Sequence, residues 1–247
     1  MKTRAIFLLF MITLSICAQE RDRDTSFKNT IRYNFTPMLL TGQTGSFAIG
    51  YERVIGKYQT MSVNVGQLKL PGLISTKSGS PVEWIGNIKN KGFIASLDYR
   101  FYFKRNKYRA PDGLYWGPYA VHYYTDNLSR ISLIENDVVS GGADLKTNLN
   151  LTMVGLQLGY QFVLWNRFTL DLIFIAPSIG FYNTQFGIQA YGEIKVDDED
   201  FQAVFDAILE LFPGASLIFQ EHTITRSGRS NFRGPGFRYL IQIGFRF

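Results

Sequence analysis

The sequence is poor in the residues that most enzyme chemistry requires. Its 247 residues include one cysteine and two histidines. A single thiol, Cys17, excludes a disulfide framework and a cysteine-rich metal site. His122 and His222 alone leave little scope for a histidine-built metal centre or relay. Eight prolines and 23 glycines are too few for a fibrous or low-complexity chain. Beyond the N-terminal segment no apolar run nears the roughly 18 residues of a spanning helix. No glycine-rich nucleotide fingerprint occurs, and the pair Gly155 and Gly159 sits in a strand pattern. Against these lacks stand 21 Phe and 14 Tyr, with 46% of all residues hydrophobic. That apolar share excludes general disorder, and the aromatics favour strands over helices. A formal charge of +6 admits nucleic acid or anionic lipid as a partner.

The N-terminus has the layout of a secretory signal peptide over 1–18. Lys2 and Arg4 form a basic start, Ile6 to Leu14 an apolar stretch, and Ser15 to Ala18 a cleavage region. Cleavage after Ala18 discards the only cysteine and two positive charges. A lipoprotein signal would lipidate Cys17 but resembles others in needing a small residue before it, where Ile16 stands. Residues 19–29 are polar and aperiodic, as in a flexible tail on the periplasmic side.

From residue 30 onward an alternation of period two dominates. It is clearest at the end of the chain, where Phe237, Tyr239, Ile241, Ile243, Phe245 and Phe247 share one face. Residues 93–103 repeat it, with Asp98, Arg100 and Tyr102 on the opposite face. Weaker versions cover 30–40, 44–54, 58–68, 113–124, 150–164 and 167–179. Segment 113–124 is the weakest, because Pro118 interrupts it and Trp116 spoils its alternation. The pattern predicts an all-β, eight-stranded antiparallel up-and-down transmembrane barrel over 30–247. Connections alternate between short turns and long loops, 69–91, 125–149 and 180–234. The last loop is predicted to carry a short amphipathic helix, about 200–212, started by the acidic run 197–200 and stopped by Pro213 and Gly214. Segments 183–196 and 215–225 read either as strand extensions beyond the membrane or as two more spanning strands, which would give ten.

Alternation does not say which face is outside. The polar faces carry Arg32, Glu52, Asp98, Arg100, Asp171, Arg238 and Arg246 among glycines, as expected of a narrow polar lumen. Aromatics gather toward both strand ends: Phe101, Phe103, Trp165, Phe168, Phe245 and Phe247 at one, Tyr123, Tyr124, Phe181, Phe237 and Tyr239 at the other. Two such girdles point to lipid outside. A soluble lipocalin-like barrel is the competing reading.

The chain closes on GFRF, which resembles the C-terminal signature of bacterial outer-membrane proteins. That likeness implies that the barrel-assembly machinery reads Phe245 and Phe247. The stretches IGYERV (49–54), LDYRFYF (97–103), GLYWGPYA (113–120) and GYQFVLWNRFTLDL (159–172) resemble a family of small bacterial outer-membrane barrels of unassigned function, in the size class of OmpA and OmpX. These motifs specify architecture and carry no chemistry.

The seven lumen charges read as a structural ion-pair network filling a narrow interior, with a gate or binding site as the competing function. Catalytic, cofactor-binding and metal residues are expected to be absent. A lipid-modifying hydrolase would need His122 with a serine such as Ser129 or Ser132, but no triad order is specified. The acidic run 197–200 lacks the ligand spacing of a calcium loop. The loop cations Lys77, Lys89, Lys91, Arg130, Lys146, Arg226, Arg229 and Arg233 face the side where lipopolysaccharide phosphates would lie. Lys104, Arg105, Lys107 and Arg109 form a denser group in a short turn. The expected protein is a monomeric, non-enzymatic barrel of the bacterial outer membrane, acting in envelope integrity or surface interaction. Its expected partners are outer-membrane lipid, lipopolysaccharide and the assembly machinery, and no nucleic acid. A lipid A deacylase or phospholipase, and a narrow channel for small solutes, are the alternatives.

Overall fold

A computed structural model of the chain describes residues 26–70, 82–103, 109–135, 138–192 and 227–247. Its strands are β1 (Asn29–Asn34), β2 (Phe47–Gly56), β3 (Gln59–Gln67), β4 (Val82–Tyr102), β5 (Gly113–Glu135), β6 (Val138–Leu164), β7 (Phe168–Ile175), β8 (Pro177–Gly192), β9 (Ser227–Phe237) and β10 (Leu240–Arg246). One short helix, α1 (Thr36–Thr41), follows β1. Every pairing is antiparallel, and the ring β1–β2–β3–β4–β5–β6–β7–β10 returns to β1. The barrel therefore has eight closed staves. The two further strands are upward continuations: β8 extends β7 past Ala176, and β9 leads into β10 past Arg238.

The wall is uneven. β1, β2 and β3 have 6, 10 and 9 residues, whereas β4, β5 and β6 have 21, 23 and 27. Turns at 57–58 and 165–167, the end of β4 at Tyr102 with the start of β5 at Gly113, and both ends of the ring share one rim, the short-turn rim. Trp165 and Asn166 have positive φ, 49° and 64°, as the central pair of a tight turn that the Arg167 N–H closes onto the Leu164 carbonyl at 3.2 Å. The opposite, tall rim carries the long staves.

Several expectations are corrected. Segment 30–40 is not one strand: Asn34 Oδ1 accepts the Thr36 N–H at 2.9 Å, Pro37 opens α1, and Gly42 ends it at φ 64°. The stretches expected as loops at 69–91 and 125–149 are strand over 82–91 and over 125–135 and 138–149, and 227–234 of the last loop is strand as well, whereas the strand extension expected as one reading of 183–196 is present as far as 192. The β5–β6 ladder keeps one register from Gly113–Gln161 to Leu133–Gly141, so neighbouring backbone supplies the hydrogen bonds that a free loop would lack. Pro118 does not weaken β5 as expected. It sits where the β4–β5 ladder passes from Asp98–Tyr119 to Phe101–Trp116 without a bridge, so its missing N–H costs no pair there. Trp116 fits the alternation after all, facing outward and stacked on Phe101 at 5.1 Å. The proposed signal peptide, the 200–212 helix, the run 197–200, His222, Lys77, Lys104, Arg105, Lys107 and Arg226 lie outside the described residues.

Burial follows the pleat. Outward positions Ile49, Val63, Leu97, Trp116, Leu156, Phe168 and Ile243 are exposed, while their in-strand neighbours are buried or half-buried. The outward aromatics fall where the pattern placed them, except Tyr123, which packs against the apolar cluster inside the barrel. Above this band the outward face turns polar, at Asp126 on β5 and Asn148 and Asn150 on β6.

Candidate functional site

The barrel interior is a layered polar network. All seven charges singled out in the sequence are buried, from 0% exposure for Glu52, Asp98, Arg100 and Asp171 to 4% for Arg238. Four of them form a closed quartet. Arg32 Nη1 lies 3.6 Å from Glu52 and 3.1 Å from Asp171. Arg100 Nη1 lies 3.3 Å from Glu52 and 2.7 Å from Asp171. Each arginine thus bridges both carboxylates, which come from β2 and β7.

Room for this arrangement is made by glycine. Arg32 pairs across the sheet with Gly50 on β2 and Gly244 on β10. A Cβ on Gly244 would sit 2.9 Å from Arg32 Cγ and 2.4 Å from Thr169 Oγ1, and one on Gly50 only 2.0 Å from Asn64 Oδ1. Any side chain at either position would displace the guanidinium or its neighbours.

A neutral shell holds the quartet in place. Thr60 Oγ1 donates to Glu52 at 2.8 Å, and Gln161 Nε2 donates to its other oxygen at 2.9 Å. Gln161 Oε1 accepts from Arg100 at 3.1 Å and from the Tyr102 hydroxyl at 2.8 Å. The Tyr115 hydroxyl donates to Asp171 at 2.6 Å, and the Arg100 guanidinium lies 4.5 Å from the Tyr115 ring centre. Tyr115 and Gln161 were not foreseen. Parity was the available signal, since Gln161 falls on the polar face of β6 and Tyr115 shares the β5 face of Gly113 and Gly117.

A second tier lies toward the tall rim. Arg238 Nη1 donates to Asp98 at 2.6 Å. Asn64 Nδ2 donates to Ser96 and Asp98 at 3.0 and 3.1 Å, and Asn64 Oδ1 accepts from Gln242 at 3.2 Å. An apolar layer follows, including Ile94, Val121, Met153, Ile173, Ala176 and Leu240. Tyr119 joins the two, its hydroxyl bonded to the Ala176 carbonyl at 2.9 Å and its ring 5.0 Å from the Arg238 guanidinium.

Arg246 differs from expectation. Its guanidinium donates to the Asn166 carbonyl at 3.0 Å and the Phe27 carbonyl at 2.7 Å, so it secures the short-turn rim. It pairs with Thr30 near the start of β1. Phe245 and Phe247 face outward at 42% and 46% exposure, and Phe247 exchanges backbone hydrogen bonds with Asn29 where the ring closes.

The chemistry of the interior is that of a plug. Arg32, Arg100 and Arg238 balance Glu52, Asp98 and Asp171, with hydroxyls and carboxamides between them. No group of three or more His, Cys, Asp or Glu capable of holding a metal occurs among the described residues. His122 and Ser129 lie on opposite faces of β5. His122 faces outward, 5.5 Å from the Phe93 ring and 2.9 Å from Thr152 Oγ1. Ser129 is fully buried on the inner face. An odd separation on a strand puts two side chains on opposite sides of the wall, so this pair forms no hydrolytic site. The side chain of Ser132 is outside the described set.

A family model described as "Protein of unknown function (DUF3575)" matches residues 5–203. No curated protein matches the chain. A solved structure of a major outer membrane protein from Thermus thermophilus is similar over 90% of this chain and 100% of that one, at 9% identity and a TM-score of 0.39. The architecture here rests on strand register and burial, not on that likeness.

Proposed function

The chain belongs to the family of unknown function DUF3575, and we propose that it is an integral outer-membrane barrel with a sealed lumen and no catalytic role. One observation carries this reading: the wall is inverted relative to a soluble barrel. Its outward face is apolar and aromatic on every stave, while buried ions fill its interior. A lipocalin-like barrel would bury the apolar face and expose the charges. The outward band on β5 runs from Leu114 to Tyr124, eleven residues in sequence, close to the roughly 9–11 of a tilted spanning strand. The tall staves rise beyond it and offer a surface for interaction outside the bilayer, in keeping with a role in envelope integrity or surface contact. A cleaved leader, passage through the barrel-assembly machinery guided by the β10 strand with Phe245 and Phe247, and a monomeric state complete the proposal.

Membrane fractionation with gel migration before and after boiling tests it. The expected result is recovery in the outer membrane and a heat-dependent shift. A soluble protein without that shift overturns it. Planar bilayers test the seal, since eight staves packed with side chains leave no sizeable pore. Porin-like single-channel steps would refute a closed lumen.

A further inference from the structure

We infer that the outward face of β6, β8 and β9, just beyond the apolar band, binds the phosphorylated sugar headgroup of an outer-leaflet glycolipid. This rests on the barrel standing in an outer membrane. Register builds the face row by row. The last apolar row is Val154–Ile179–Pro235. Next comes Thr152–Phe181–Arg233, then Asn150–Asn183–Asn231, then Asn148–Gln185–Arg229, with Lys146 one step further on β6. In sequence these residues are scattered over nearly ninety positions and read as unrelated loop charges. Three adjacent strands gather them into one patch of cations and carboxamides, with no carboxylate in these rows.

Position and chemistry agree on the occupant. The rows begin where hydrocarbon contacts end, which is the level of lipid headgroups. Arg233 is held with its guanidinium 5.2 Å from the Phe181 ring centre, and Arg229 Nε donates to Asn183 Oδ1 at 3.4 Å. Both are exposed. The carboxylates bordering the patch, Asp126 and Asp144, are engaged by Lys89 and Arg130. Guanidinium groups match phosphate oxygens in paired hydrogen bonds. Carboxamides donate and accept at once, as sugar hydroxyls do. Arg229 and Arg233 stand four residues apart, roughly 13 Å along a strand, the reach of a disaccharide phosphorylated at both ends.

The full chain, folded in detergent micelles, is titrated with bis-phosphorylated lipid A and separately with phosphatidylglycerol, and bound lipid is read by native mass spectrometry. Lipid A is expected to bind more tightly than phosphatidylglycerol. The double variant R229Q/R233Q should weaken lipid A binding on the order of ten-fold. N150A/N183A should weaken lipid A and leave phosphatidylglycerol unchanged. R53Q/K57Q, which removes two exposed cations at the short-turn rim, should alter neither. Equal affinity for the two lipids, equal loss in R53Q/K57Q, or wild-type binding by R229Q/R233Q each overturns the site. Heat-dependent gel migration is recorded for every sample. A wild-type protein without the shift fails as a membrane barrel, whereas a shifted protein without lipid preference fails only here.

Discussion

Replacing Glu52 by Gln leaves shape and size nearly unchanged but removes one of the two anions in the quartet. Its attractions are to Arg100 at 3.3 Å and Arg32 at 3.6 Å. With an effective dielectric near 20, each is worth about 5 kcal/mol before desolvation is counted. Burying the ions costs several kcal/mol apiece, so much of that gain is offset. The larger consequence is what remains: two buried arginines sharing one carboxylate, Asp171. Uncompensated buried charge of this kind costs about 3–5 kcal/mol. The introduced carboxamide also presents an amide nitrogen to Gln161 Nε2, which donates to Glu52 at 2.9 Å in the wild type. Donor then meets donor unless Gln161 turns and gives up its bonds to Arg100 and Tyr102. Replacing Arg32 by Gln in the same chain restores neutrality and leaves the Arg100–Asp171 pair at 2.7 Å intact. The double variant should therefore recover about 1–3 kcal/mol relative to the sum of the single losses. The assay is reversible denaturant unfolding in lipid vesicles, followed by tryptophan fluorescence and by gel migration. Single losses that add within about 0.5 kcal/mol would refute direct coupling between Arg32 and Glu52.

Three further outcomes are expected. Leu156 is 55% exposed in the middle of the outward band, so Leu156→Arg should cost about 2–4 kcal/mol in lipid vesicles, and a neutral result would place this face in water. Gly244→Val should destabilise by about 1–3 kcal/mol in the same unfolding assay, because its Cβ meets Thr169, Thr30 and Arg32 at under 3 Å; an unchanged midpoint would show that Arg32 is not confined there. Outside the apolar band, Arg130 donates to Asp144 at 2.7 and 2.8 Å and holds its carboxyl below the ordinary carboxylate range. A lowered pKa stabilises above the unfolded-chain value of about 3.9 and loses that contribution as pH falls through the folded value. The small melting-temperature gap between wild type and Asp144→Asn should close in acid, and a gap that persists there contradicts the pairing.

The all-β class, the stave spacing over most of the ring and the burial of all seven charges were legible in the sequence. Each follows from period-two alternation, a local property that the pleat converts directly into inside and outside. The same parity placed Tyr102 inward, while Trp116, which looked like a break in the pattern, turned out to face outward in step with it. Three things needed the tertiary structure. Staves above the apolar band carry polar residues on both faces, as in Thr125, Asn127 and Ser129 inward against Asp126 and Arg130 outward, so hydropathy carries little signal and cross-strand hydrogen bonds make them strand. Which ions pair depends on shear between non-adjacent staves, which is why Arg100 of β4 reaches Asp171 of β7 while Arg246 turns to rim carbonyls. The cationic, carboxamide-bearing face exists only because β6, β8 and β9 come into register. Composition and alternation determine what each residue faces. Register around a closed ring decides which residue it meets.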